Sequence, residues 1–157
     1  MSTPSLKLEM PGGRNGVFTD LVLDYTGTLS RDGLILPGVA ERLTQLAAKI
    51  RVTILTADTF GAAAGQVKGL PLNFQVIRDG AEKAELVAGM GGKCVIAIGN
   101  GRNDVPMMGK AGLGIAVVGP EGAAGELVRV VDVVVNDIRD GLDLLLHPLR
   151  LKATLRD

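Results

Sequence analysis

Cysteine is nearly absent from the chain: Cys94 stands alone among 157 residues, which excludes an internal disulfide. It lies in the apolar run CVIAIG and is expected in the core. Aromatic residues are almost as scarce, with three phenylalanines, one tyrosine and no tryptophan. Phe18, Tyr25, Phe60 and Phe74 are too dispersed to make a stacking platform for nucleic acid. Neither sign of charge prevails, since 17 basic residues balance 17 acidic ones. The basic residues are scattered, so no face is expected to follow a phosphate backbone. Apolar residues make up 46 % of the chain, yet no run approaches the roughly 20 needed to cross a bilayer. Residues 1–16 are polar and interrupted by proline and glycine, unlike a secretory signal. The expectation is a cytoplasmic protein that engages neither nucleic acid nor membrane.

What the chain does contain is alternation. Short apolar runs predict strands at 21–23, 52–56, 74–77, 94–98, 114–118 and 131–135. Between them, residues 37–50 place Val39, Leu43, Leu46, Ala47 and Ile50 on one helical face, with Pro37 suited to the first turn. Residues 80–92 read as a helix ended by glycines, and 138–148 as a last helix stopped before Pro148. Repeated strand–helix–strand units imply a parallel sheet covered on both faces, a Rossmann-like three-layer α/β sandwich. Its length suits a single domain over 1–157, with residues 1–18 as an N-terminal hairpin arm.

The stretch LVLDYTGTLS, residues 21–30, runs three apolar residues into an acid. A carboxylate there is tolerable only at the carboxyl edge of the sheet, where open α/β folds place their ligands. Other polar residues fall at equivalent edges. Thr56 ends the next strand, Lys83 opens the helix after the third, and GNGRND (99–104) follows the fourth with Asn100 and Asp104. A parallel sheet brings such ends into one cleft. Carboxylates and an amide oxygen suit a hard cation, while a hydroxyl and an ammonium suit phosphoryl oxygens.

In order and spacing, DYTGTLS, TILTADT, EKAELV and IGNGRNDVPMMGKAGLGIAV resemble the four motifs of the haloacid-dehalogenase-like (HAD) phosphohydrolases. The resemblance is nearest to the phosphorylation domain of P-type ATPases and to short soluble proteins related to it. It implies a Mg2+-dependent phosphatase or ATPase-like hydrolase that forms an aspartyl-phosphate on Asp24. By the same resemblance Thr26 would offer its backbone carbonyl to Mg2+, and Thr56 and Lys83 would hold the phosphoryl group. Tyr25, Ala57 and Asn103 would line the substrate side, and Asp24, Thr26, Asn100 and Asp104 would form the metal set. Only about thirty residues separate Asp24 from Thr56, and fewer separate Thr56 from Lys83. No cap or nucleotide-binding domain fits in either gap, so the expected site is capless, and ion transport by this chain alone is excluded.

Departures from the family pattern carry meaning. Asparagine at 100 replaces the usual aspartate and removes a negative charge beside the cation, which predicts weaker Mg2+ affinity. TAD replaces TGD at 56–58, where alanine still offers its backbone N–H. Threonine at 26 replaces the acid–base aspartate of the phosphatases, which predicts slow dephosphorylation. Several residues also have plainer readings. Asp58 suits a helix cap at Thr59, Lys83 could be a solvated helix residue, and His147 a helix-terminus residue. Tyr25 and Arg102 could touch substrate or merely pack. GMGGKC lacks the spacing of a phosphate loop, and GNGRND is not a dinucleotide fingerprint. The rival functions are a phospho-acceptor regulatory module and a HAD-like subunit without turnover. The expected partner is a phosphorylated substrate of unspecified identity, with a second copy of the chain as a possible lid.

Overall fold

The computed structural model describes residues 4–12, 14–57 and 61–157. Strands β1 (Leu6–Met10) and β2 (Arg14–Phe18) pair antiparallel as a hairpin. Strand β3 (Asp20–Leu23) follows, and a small hairpin of β4 (Ser30–Arg31) and β5 (Leu34–Ile35) comes after its loop. Next come α1 (Val39–Ala47), β6 (Arg51–Thr56), α2 (Ala62–Val67), β7 (Asn73–Val76) and α3 (Gly80–Gly89). Then follow β8 (Val95–Gly99), α4 (Val105–Met108), β9 (Leu113–Val117), α5 (Gly125–Val128) and β10 (Val133–Val135). Helices α6 (Ile138–Leu146) and α7 (Pro148–Leu155) end the chain.

Six strands form the central sheet in the order β10-β9-β8-β3-β6-β7, and every pairing is parallel. This is the α/β architecture expected from the alternation. Strands β3, β8 and β9 are buried at every position, which is why their sequences are continuously apolar rather than alternating. Successive side chains still point to opposite faces. Leu21 and Leu23 join a cluster with Leu43 and Leu46 of α1 and Leu142 and Leu145 of α6. Val22 joins the cluster on the other side, with Val87 of α3, Met107 of α4 and Leu127 of α5. Helices therefore cover both faces. The β1–β2 hairpin packs Leu6, Leu8 and Met10 into the first cluster.

The helical pattern at 138–148 stops before Pro148 as expected, but it is not the last helix. Proline begins α7, at a position where its missing N–H is no loss. Leu151 fixes α7 in the first cluster. The final strand starts at Val133 rather than 131, because Asp132 turns its carboxylate to the Gly114 N–H at 2.9 Å. Cys94 is only partly buried, since it closes a 3-10 turn (Gly92–Cys94) before β8 begins. The β4–β5 hairpin and the short helices α2, α4 and α5 carry too little periodicity to be read from sequence. Among the described residues, no helix is long and apolar enough to cross a membrane.

If α7 is part of the core rather than an appended tail, Leu151→Ala should lower the unfolding free energy by about 2–5 kcal/mol in urea. A loss well under 1 kcal/mol would place α7 outside the cooperative unit.

Candidate active site

Strand β3 lies between β6 and β8, with Leu23 opposite both Ile54 and Ile98. Chain connections diverge to either side of it, which makes its carboxyl end a topological switch point. Asp24 follows immediately, and its N–H extends the ladder to the Ile98 carbonyl at 3.0 Å. The chain then turns sharply. Thr28 and Leu29 both donate their N–H to the Tyr25 carbonyl, and Gly27 takes a positive φ of 74°. Any side chain at Gly27 would be strained by that φ and would crowd the Asn100 amide.

Lys83 reaches the same place from α3. Asp79 caps that helix by accepting the Glu82 N–H at 3.0 Å. A Cβ at Gly80 would overlap the Asn103 carbonyl, so glycine lets α3 press against the 99–104 loop. Lys83 is fully buried, and its Nζ donates to Asp24 Oδ1 at 2.9 Å and to Asp104 Oδ1 at 2.7 Å. The other oxygen of Asp104 accepts the Asn100 and Gly101 N–H groups at 3.2 and 3.1 Å. Thr28, also buried, sets its hydroxyl 3.3 Å from Asp24 Oδ2 and 3.1 Å from Asn100 Oδ1.

These contacts set the charges. Burial, reinforced by the nearby Asp104 carboxylate, pushes the Asp24 carboxyl up to about 6 against the pull of Lys83 and the Tyr25 N–H. Burial acts to discharge Lys83, but Asp24 and Asp104 together outweigh it and raise its affinity for the proton. The ammonium therefore stays charged between two acids.

The structure brings Asp24, Lys83, Asn100 and Asp104 together and redistributes some expected roles. Both Asp104 oxygens are engaged, by Lys83 and by two N–H groups, so this acid holds Lys83 and the 99–104 loop in place. Tyr25 is not a side-chain substrate contact. Its ring is fully buried and its hydroxyl donates to the Gly33 carbonyl at 2.8 Å, pinning the loop to the β4–β5 turn. Thr26 is exposed beside Asp24, Thr56 ends β6 in a buried position, and Ala57 is half-buried. Asn103 is exposed. Arg102 points to solvent and pairs with Glu126 at 3.0 Å. His147 is exposed between α6 and α7. Asp58, Thr59 and Phe60 lie outside the described residues. Thr28 was missed, although the second threonine of TGT was available as a signal.

A hard cation fits this chemistry. Asp24 Oδ2 and Asn100 Oδ1 lie 3.3 and 3.1 Å from the Thr28 hydroxyl, which holds two hard oxygen donors close together. Among the described residues no cluster of three or more His, Cys, Asp or Glu side chains forms, so a cation here would rely on neutral oxygen donors and water beside Asp24.

Residues 40–138, well over half of the chain, match the family of haloacid dehalogenase-like hydrolases. The chain belongs to this family. The matched span holds Thr56, Lys83, Asn100 and Asp104, while Asp24 lies before it. An uncharacterized protein of Methanocaldococcus jannaschii is 55 % identical over 65 residues, spanning 41 % of this chain and 70 % of that protein. Among solved structures, a 3-deoxy-D-manno-octulosonate 8-phosphate phosphatase from Moraxella catarrhalis, in complex with magnesium, phosphate and a KDO molecule, superposes with a TM-score of 0.70. It is 18 % identical, covering 87 % of this chain and 91 % of that one. A cobalt-bound deoxy-D-mannose-octulosonate 8-phosphate phosphatase from Haemophilus influenzae gives a TM-score of 0.69 at 17 % identity, covering 83 % and 85 %. At these identities the likeness is one of fold.

A raised carboxyl has a consequence for stability without metal. The native state keeps on Asp24 a proton that an unfolded aspartate, near 3.8, releases. The stabilisation is complete below about 3.8 and is lost as pH rises through about 6. Asp24→Asn should therefore be more stable than wild type at pH 7 in EDTA, by on the order of 3 kcal/mol. Urea unfolding should show the gap closing towards pH 4; equal stability at pH 7 would refute the strain assigned to Asp24.

Proposed function

We propose that the chain is a capless, Mg2+-dependent phosphohydrolase that works through an aspartyl-phosphate on Asp24. The observation that carries this reading is the buried Lys83, held at 2.9 and 2.7 Å from two acids at the carboxyl edge of the sheet. Its fold likeness to two sugar-phosphate phosphatases supports it. Asp24 attacks phosphorus through a carboxylate oxygen, the leaving group departs with its bonding electrons, and an acyl-phosphate forms. Lys83 and Thr56 hold the phosphoryl oxygens, and Asp104 holds Lys83 in place. Mg2+, held by Asp24, Asn100 and the Thr26 carbonyl, would neutralise phosphoryl charge. Water then cleaves the acyl-phosphate and returns Asp24.

That second step lacks help. A general base there is worth roughly 10²–10⁴-fold, and the exposed Thr26 hydroxyl beside the nucleophile cannot serve as one near neutral pH. The acyl-phosphate should persist, as suits the P-type phosphorylation domains that DYTGT resembles. Substrates with good leaving groups, such as acyl phosphates, should react best.

Rapid mixing with acetyl phosphate and Mg2+ should show a burst of one phosphoryl group per site, followed by slow turnover. Asp24→Asn should abolish both burst and turnover. Thr26→Asp should speed the steady state at least tenfold. Fast wild-type turnover with no burst would refute the role of Thr26. Absence of any Mg2+-dependent turnover or phosphoenzyme would favour the subunit without turnover, to which the neutral Asn100 already lends support.

We also propose that a second copy of the chain closes the open site, because excluding water strengthens its electrostatics. Light scattering at micromolar concentration should give at least twice the chain mass; a monomer would refute it.

A further inference from the structure

Asn100 uses each of its four polar groups on a different neighbour. Its N–H donates to Asp104 Oδ2 at 3.2 Å, and its carbonyl accepts the Ala124 N–H at 2.8 Å. Its side-chain Nδ2 donates to the Gly122 carbonyl at 3.0 Å, and its Oδ1 accepts from the Thr28 hydroxyl at 3.1 Å. A carbonyl can only accept, so the amide nitrogen must face Gly122, which leaves the amide oxygen on the Thr28 hydroxyl. A carboxylate could keep the inward contact but would set oxygen against oxygen at Gly122.

What Asn100 grips is the 119–124 loop after β9. Gly119 donates its N–H to the Asn136 carbonyl, and a Cβ on it would come 3.1 Å from the Gly27 carbonyl, so the loop lies against the nucleophile turn. Further along, Glu121 accepts the Asp32 N–H at 3.3 Å, in the turn of the β4–β5 hairpin. The loop thus spans from the Asp24 turn to that hairpin. Gly119 and Gly122 both have positive φ, a conformation accessible because they are glycines but not rigid for the same reason. Its order has to come from its ties, and two of them end on Asn100.

We propose that Asn100 is a positioning residue that fastens the 119–124 loop to the nucleophile turn, and that an amide is required at this position because it alone donates to Gly122 while presenting an oxygen to Thr28. The loop then forms a fixed wall of the site mouth, and its consequence for substrate rests on the phosphohydrolase reading.

Hydrogen exchange on the metal-free protein in EDTA tests this without any substrate. Asn100→Asp and Asn100→Ala should both accelerate exchange at residues 122–124 at least tenfold, with α1 unchanged. Unaltered exchange in the folded variants would overturn the proposal. So would acceleration in Asn100→Asp alone, since that reports repulsion by a new charge rather than loss of a tie. In the wild-type NMR spectrum, the Asn100 side-chain NH2 should show contacts to Gly122, and their absence would overturn the proposal even if both variants failed to fold. If wild type turned over no phosphate ester, the phosphohydrolase reading would fail while exchange and NMR still decided the clamp.

Discussion

An ammonium buried between two carboxylates is the interaction on which the rest of this structure depends. Lys83, Asp24 and Asp104 all sit almost wholly out of water, where each charge alone would carry a desolvation cost of several kcal/mol. They are tolerable together because Lys83 contacts both acids and Asp104 accepts two further N–H bonds. Removing Lys83 from such a set would leave two acids buried without their cation, a loss that typically costs about 3–5 kcal/mol. Several otherwise unconnected features serve it. Gly99 is required because a Cβ there would overlap the Asp104 carboxylate, and Gly80 because α3 must approach the 99–104 loop closely enough for Lys83 to arrive. The Asp79 cap fixes where α3 begins.

The parallel sheet is what makes this meeting possible. Asp24, Lys83 and Asp104 are 59 and 21 residues apart along the chain, yet β3 beside β8 brings the two acids to one edge, and α3, pressed on the 99–104 loop, brings Lys83 there. Asp20, at the opposite end of β3, shows the alternative treatment of a buried acid. It is clamped by Arg51 at 2.6 and 3.1 Å and by the Thr19 hydroxyl at 2.8 Å. Asp20 has a private cation. Asp24 must share Lys83 with Asp104, and burial, reinforced by the Asp104 charge, raises its carboxyl against the pull of that shared lysine.

How much of this was legible in the sequence depended on whether a residue's position or its partner mattered. Continuous apolar runs located the central strands, since a strand buried on both faces has no polar positions to confuse the reading. Strand ends then located Asp24, Lys83, Asn100 and Asp104. Partners were not legible. Nothing local distinguishes Thr26, which is exposed, from Thr28, which is buried and bridges Asp24 to Asn100; the turn around Gly27 decides it. Tyr25 looked like a residue at the mouth, but the same turn sends its ring into the core. Sequence shows Asp104 as an acid but not that Lys83 and two loop N–H groups share its oxygens. Helix α7 was hidden because proline marks a beginning as readily as an end.

The neutral residues at 26 and 100 complete the electrostatic picture. The core of the site carries two acids and one ammonium, a formal charge of minus one when all three are ionised. An acid at either of those positions would add a second uncompensated charge within reach of Asp24, raising its carboxyl further in the absence of a cation. Threonine and asparagine therefore lower the cost of holding the site assembled before any cation or phosphoryl group arrives. On the proposed phosphohydrolase reading, they do so by giving up a base at 26 and a charged donor at 100, an exchange that would favour receiving a phosphoryl group on Asp24 over releasing it.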